Sequence, residues 1–168
     1  MTFEGTVRPE RAGDAAAIRR VHAASFPSVG EASLVGSLRD AGDLTVSLVA
    51  VVDDEVVGHI AFSPVRTGGG DVGLGLAPIA VLPENRRQGV ASALIVAGLA
   101  ACVTAGYGWV VVLGDPKFYA RFGFSAAAEF GLEDEYGGGS AFQAIELISG
   151  ALPRRAGRVG YGPQFAAL

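Results

Sequence analysis

The sequence predicts an α+β domain of three layers (α/β/α), with helices on both faces of a mixed, mostly antiparallel sheet of about six or seven strands. Three observations carry this reading. Hydrophobic residues recur at the two-residue period of strands in some segments and at the three-to-four-residue period of helices in others. Two β-rich runs, LTVSLVAVV and EVVGHIAFSPV, flank Asp53-Asp54, a turn dipeptide, and so read as a hairpin. Residues 72–81, 88–105 and 109–113 read strand, helix, strand, a crossover whose two strands should be parallel and right-handed.

Taken in order, Gly5 to Pro9 reads as a first, edge strand. Asp14 is a plausible N-cap for AAAIRRVHAASF, where Ala17, Ile18, Val21 and Ala24 share one face, and Pro27 ends that helix. A second helix, from about Glu31 to Ala41, lines up Leu34, Val35 and Leu38 and stops at Gly42. The hairpin supplies two strands. TGGGD is a turn, and Val72 to Val81 a fourth strand. A third helix runs from about Gln88 to Ala105, and Trp109 to Leu113 is a fifth strand. Asp115-Pro116 pairs an N-cap with proline at the first helical position, opening KFYARF, which Gly123 closes. EFGLEDEYGGGS is a polar, glycine-rich loop, and Phe142 to Ile148 a last strand. We expect one domain over 1–168, with its core at about 5–150 and a basic, then apolar tail over 151–168.

Composition narrows the function. Half of the 168 residues are hydrophobic and 18% are charged, which argues against disorder. A net charge of −4 speaks against nucleic acid and is compatible with a cationic substrate. The single cysteine, Cys102, excludes an internal disulfide framework and reads as a small buried hydrophobe, and no Cys/His cluster has metal-ligand spacing. The 26 residues from Gly89 to Gly114 carry no charge, but Thr104-Ala105-Gly106-Tyr107-Gly108 breaks them into a helix and a strand, so no membrane span is expected. The start, MTFEGTVRPERAGD, has no apolar signal core, and we expect a cytoplasmic protein. A homodimer is left open.

The chemistry concentrates at ENRRQGVASALI, Glu84 to Ile95. A helix start leaves backbone N–H groups unpaired, and the helix dipole adds partial positive charge, so phosphate is the usual occupant. Gly89 lets an anion reach the backbone, Ala91 is nearly as small, and Arg86 and Arg87 add charge. Taken alone, a plain turn with exposed arginines fits equally well. The spacing Arg86-x-x-Gly89-x-Ala91 after an apolar strand matches, however, the (Q/R)-x-x-G-x-(G/A) signature of the GNAT N-acetyltransferase superfamily. LAPIAVLPENRRQGVASALI resembles that family's fourth strand and third helix. WVVVLGDPKFYARFGF resembles its fifth strand and next helix. GHIAFSPV, LGDPKFYARFGF and IELISGAL look most like the YhbS-like acetyltransferases. The resemblance spans about residues 5 to 150.

The resemblance implies an acetyl-CoA-dependent N-acetyltransferase, with acetyl-CoA as donor and the primary amine of a small molecule or peptide as acceptor. It implies a splay between the fourth and fifth strands. The pyrophosphate would sit on Arg86, Arg87, Gln88, Gly89, Val90, Ala91 and Ser92, and the pantetheine arm along Ile79, Ala80 and Val81 like an added strand. A backbone N–H near Ile79 would stabilise the oxyanion. Pro78 lacks such a donor and suits a bend in the strand. Tyr119 would protonate the leaving thiolate, with Phe118 and Phe122 turned to the core and Tyr119 free to face the splay. The family's base is often a carboxylate acting through water, and the candidates are Glu31, Glu84 and His59; Glu84 reads better as a loop residue and His59 as a hydrogen-bonded core histidine, while Glu31 lies in the region that shapes the acceptor site in this fold and is the one named. Glu129, Glu133, Asp134 and Glu135 read either as a solvated loop or as an attractor for a cationic acceptor. The alternative function is a non-catalytic acyl-CoA-binding or regulatory module on the same fold. A nucleotide-binding oxidoreductase is disfavoured by the missing G-x-G-x-x-G.

Overall fold

Asp53 and Asp54 adopt left-handed φ values of 49° and 63°. Successive left-handed residues match the twist of a tight hairpin, and they join β2 (Val46–Val52) to β3 (Glu55–Thr67) in antiparallel register. The computed structural model describes residues 3–168, so Met1 and Thr2 of the expected 1–168 unit lie outside it. Before the hairpin come β1 (Thr6–Pro9), α1 (Ala15–Ser25) and α2 (Gly30–Asp40). After it come β4 (Val72–Val81), α3 (Val90–Thr104), β5 (Trp109–Leu113) and the one-turn α4 (Pro116–Tyr119). The chain closes with β6 (Ser125–Ala126), β7 (Leu132–Asp134), β8 (Phe142–Glu146) and β9 (Gly157–Tyr161).

Among the described residues the sheet has nine strands, in the order β1-β2-β3-β4-β5-β8-β6, with β9 on β3 and β7 on β9. Only β4–β5 and β7–β9 pair in parallel. The expected count of six or seven is exceeded because β6 forms just before the glycine-rich loop, the loop contains β7 and the tail contains β9. The long β3 explains how: β2 covers its first part, and β9 pairs with Val65 to Thr67 beyond it.

Helices cover both faces. α3 lays Val90, Leu94, Ile95 and Cys102 on Leu48, Ile60, Phe62 and Leu74, a core that also takes in Tyr119 and Phe124. On the other face Ile18 and Val21 of α1 and Val35 of α2 pack on Val49, Val56 and Ala80. Burying each such aliphatic side chain contributes about 1.5–3 kcal/mol. Gly98 permits the close fit of α3, since a Cβ there would collide with the Phe62 ring. Cys102 is buried in this core, and burial pushes its thiol up to about 12. Among the described residues no helix is long and apolar enough to cross a membrane.

One expected cap works differently. Asp14 precedes α1, but its carboxylate makes no cap bond. It accepts instead from the Arg8 guanidinium at 2.7 and 3.2 Å and from the Arg11 N–H at 2.7 Å, so it ties β1 to α1. Asp115 does cap as expected: its Oδ1 accepts the Lys117 N–H at 3.0 Å.

Candidate active site

β4 and β5 stay paired only at Leu74–Val110 and Gly75–Val111. Beyond that point β4 continues for six residues, Leu76 to Val81, with no strand on that side, while β5 spends its far edge on β8. The β3–β4 register shifts opposite Ala77-Pro78, where the peptide bond is cis. A bulge there bends the strand, and proline has no N–H for the ladder. The Leu82 N–H donates to Val57 O at 2.8 Å, so Leu82 faces β3. Main-chain groups alternate sides along an antiparallel strand. Ala80 therefore also faces β3, and Ile79 and Val81 direct theirs into the gap. In agreement, Val81 O accepts from Arg86 Nε at 3.1 Å and Ser25 Oγ at 3.3 Å on that side.

The gap opens onto the turn before α3. Arg87 is left-handed at φ 61° and Gly89, the N-cap, at φ 83°. Two such residues so close together curl the backbone into a nest of N–H groups, and a left-handed non-glycine residue marks a spot where the surroundings hold the chain against its preference. The first bond of α3 runs from the Ala93 N–H to Gly89 O at 3.0 Å. The N–H groups from Arg87 to Ser92 precede it, and no described residue accepts from them. A cleft of about 700 Å³ covers this turn; Arg87, Gly89, Ala91, Ser92, Phe118 and Arg121 are among its walls. A second cleft, about 400 Å³, runs on along Ile79, Ala80 and Val81 to Ser25 and Phe26, and shares Val81, Arg86, Ala91 and Phe118 with the first. The two are one channel from the helix start to the exposed edge of β4. Val90 differs from its neighbours: its side chain is buried in the core, leaving only its main chain to the turn. Gln88 folds back to donate to Glu84 O at 3.4 Å.

The remaining candidates are dispersed. Tyr119 is buried, its ring stacked edge-on to Phe118 and Phe124 and lying against Gly114 at the end of β5. The expected orientation is thus exchanged, for Phe118 lines the channel while the Tyr119 ring joins the core. The cause is that α4 is a single turn continued as a 3-10 turn over Ala120–Phe122, where a helical-wheel argument loses its angle. The Tyr119 hydroxyl has no hydrogen-bond partner among the described residues, and burial raises its pKa. Glu31 lies in the first turn of α2, and neither Glu31 nor Tyr119 lines either cleft, so of the three catalytic candidates only Ile79 does. Glu84 is exposed in the turn. His59 is fully buried on β3, hydrogen-bonded to His22 and Ser47. The acidic loop splits: Asp134 is buried, accepting from Gly138 N–H at 2.7 Å and Tyr136 N–H at 3.1 Å, and Glu135 accepts from Tyr161 N–H at 2.8 Å.

Sequence reasoning missed Arg121, a third cation of the channel, whose guanidinium stands 5.2 Å from the Phe118 ring centre. The i, i+3 spacing of Phe118 and Arg121 was the available signal. It also missed Ser25 and Phe26, which α1 brings to β4 from 54 residues away in the sequence, Ser25 to Ile79; no local pattern carries that contact.

A GNAT acetyltransferase domain model matches residues 43–126. The chain is 43% identical to the N-acetyltransferase YhbS of Escherichia coli K12 over 162 residues, spanning 95% of this chain and 97% of that one. This chain belongs to the GNAT acetyltransferase family. The crystal structure of Escherichia coli YhbS in complex with CoA matches it with a TM-score of 0.92 at 41% identity, over 99% of this chain and 94% of that one. A GNAT family acetyltransferase from Brucella melitensis, in complex with acetyl-CoA, matches with a TM-score of 0.81 at 39% identity, over 96% and 98% of the two chains. The mixed, mostly antiparallel sheet with its β4–β5 splay and two helical layers is the GNAT fold, as the sequence leads one to expect.

Proposed function

We propose that this acyltransferase moves an acetyl group from acetyl-CoA directly to a primary amine of a small molecule or peptide. The observation that carries the reading is the continuity of two open backbone surfaces. The bare N–H groups at the start of α3 run into the unpaired edge of β4, so a diphosphate and an extended amide-bearing arm fit end to end. CoA and acetyl-CoA are the ligands bound by the two relatives above. A cytoplasmic location, where acetyl-CoA is held, goes with this reading.

The roles follow from the chemistry each group can do. Arg87 to Ser92 offer N–H groups to the pyrophosphate, with Arg86, Arg87 and Arg121 supplying charge. Ile79, Ala80 and Val81 form the strand along which the pantetheine lies, Ile79 and Val81 through main-chain groups in the gap. The amine nitrogen bonds to the thioester carbonyl carbon, whose oxygen gathers negative charge beside the Ile79 N–H. The C–S bond then breaks with its electron pair on sulfur, and the Tyr119 phenol donates the proton that sulfur takes up. The phenol is protonated at neutral pH in any case, and burial raises its pKa further. The proton that the amine must lose is taken by water and relayed toward Glu31, which itself lines neither cleft. The test is acetyl-CoA-dependent thiol release across a panel of amines, run beside calorimetry with acetyl-CoA. Tight acetyl-CoA binding with no turnover on any amine would instead make the protein an acyl-CoA-binding module.

A further inference from the structure

We infer that the acceptor is a monoamine with a compact apolar body, seated in a pocket that the C-terminal tail builds against the β4–β5 gap. The inference rests on the acetyl-transfer reading and names its second substrate by class. The pocket measures about 270 Å³. Leu76 and Ala77 of β4 and Leu113 of β5 form one side, all within two residues of the last β4–β5 pair, Gly75–Val111. Tyr136, Tyr161 and the tail residues Phe165 and Leu168 close the other side. The phosphate turn follows the opposite end of the gap, past Val81. From Val81 to Leu76 is five residues, about 17 Å at a strand's rise. An arm entering at Val81 and laid along β4 therefore carries its acyl end toward this pocket.

The walls say what fits. Tyr161 lies between Tyr136 and Phe165, its ring tilted to both, with ring centres 5.9 and 5.0 Å away. An apolar cavity of roughly 150 Å³ takes a benzene ring, so this one holds a phenyl-sized body with a short chain. Among the described residues no charged side chain lines the pocket, and the charged groups bonded to the main chain of its walls are carboxylates, Glu135 on the Tyr161 N–H and Asp134 on the Tyr136 N–H. Burial first, then the Asp134, Tyr136 and Glu135 groups, raise the pKa of the Tyr161 phenol. A single ammonium is welcome in that field and over the Tyr136 ring face. A carboxylate on the same molecule is repelled, and the second cation of a polyamine would lie against apolar walls with nothing to pair it.

The test uses the CoA-saturated protein and calorimetry with 2-phenylethylamine, ethanolamine, phenylalanine and spermidine. We expect 2-phenylethylamine to bind at least tenfold more tightly than the other three. Tyr136→Ala and Leu168→Arg should each weaken that binding at least tenfold and leave acetyl-CoA affinity alone. Both side chains are exposed, at 51% and 61%, so neither change threatens the core. Equal affinity across the four amines, or indifference to both substitutions, overturns the pocket. The transfer assay separates the two readings. If 2-phenylethylamine binds but releases no thiol from acetyl-CoA, acetyl transfer is wrong and the pocket stands. If spermidine or phenylalanine is the better acceptor by kcat/KM, the pocket is wrong and acetyl transfer stands.

Discussion

His22 Nε2 and His59 Nδ1 lie 2.8 Å apart, and neither ring is open to solvent. His59 Nε2 is 2.8 Å from Ser47 Oγ, which donates to Glu10 Oε1 at 2.8 Å, and Arg39 grips the same carboxylate through Nε and Nη2 at 2.8 Å each. The proton positions follow from the far end. Burial works against ionising Glu10, but the Arg39 and Ser47 hydrogen bonds outweigh it and hold Glu10 below its usual range. An ionised Glu10 only accepts, so the Ser47 hydroxyl donates to it and accepts from His59 Nε2–H. His59 Nδ1 is then a lone pair that accepts from His22 Nε2–H. Both rings are neutral, and His22 Nδ1 is left without a partner among the described residues.

This arrangement makes the fold acid-sensitive. Burial lowers His22 from 6.5 to about 4, and burial, His22 and Arg39 lower His59 well below 6.5. Above pH 6.5 the rings are neutral folded and unfolded, so nothing is lost. Below it the unfolded chain binds protons that the folded chain refuses, and stability falls as pH drops toward 4. The His22 shift alone corresponds to about 3 kcal/mol lost across that window. Glu10 and Asp14, both held low by arginines, add their losses at lower pH still. Urea unfolding between pH 7.5 and 4.5 should show a falling midpoint, with a shallower fall in His22→Leu. A flat profile would show that the pair is not neutral in the fold.

Gly89→Glu tests the anion cradle. At φ 83° any side chain costs about 1 kcal/mol in backbone strain, so Gly89→Ala should be slightly less stable and bind acetyl-CoA a few-fold more weakly. Glutamate adds a carboxylate facing the diphosphate, and affinity should drop by about two orders of magnitude while circular dichroism stays native. Unchanged calorimetric affinity in the folded variant would move the phosphate site elsewhere.

What was legible in the sequence was local. The turn at Asp53-Asp54, the helix start at Gly89 and the strand–helix–strand segment 72–113 each declare themselves within a few residues, because backbone angles and hydrophobic period are properties of neighbours. The long-range pairings were not. β7 and β9 are three and five residues, and Leu132–Asp134 meets Gly157–Val159 from across the chain. Asp134 is buried because Tyr136 and Gly138 donate to it, which a polar, glycine-rich loop reading does not anticipate. The His22–His59 contact spans 37 residues, and no periodicity encodes it. The tail reads as an afterthought in sequence, yet Tyr161 and Phe165 pack beside the gap.

Arg121, found only in the structure, should matter through charge. It lies over the Phe118 and Phe122 rings, 5.2 and 5.5 Å from their centres, with its guanidinium beside the phosphate turn. Arg121→Ala should weaken acetyl-CoA binding about tenfold at low salt, and less in 0.5 M salt, where exposed charges are screened. Arg121→Lys should recover part of that loss, since it keeps the charge without the planar fork. Equal affinity in Arg121→Ala at every ionic strength would remove Arg121 from the site.

Tyr119→Phe separates chemistry from packing. The phenol oxygen bonds to no described residue while the ring fills the space over Gly114 and against Phe124, so deleting the oxygen leaves packing whole. The melting temperature should therefore hold, and acetyl-CoA affinity with it. If the phenol protonates the leaving sulfur, kcat should fall about 10²-fold, the scale of a lost general acid. The deficit should shrink with acyl donors whose thiol is more acidic, because a better leaving group needs the proton less. A variant with native kcat would make Tyr119 a core residue alone, and the thiolate would have to find its proton in water.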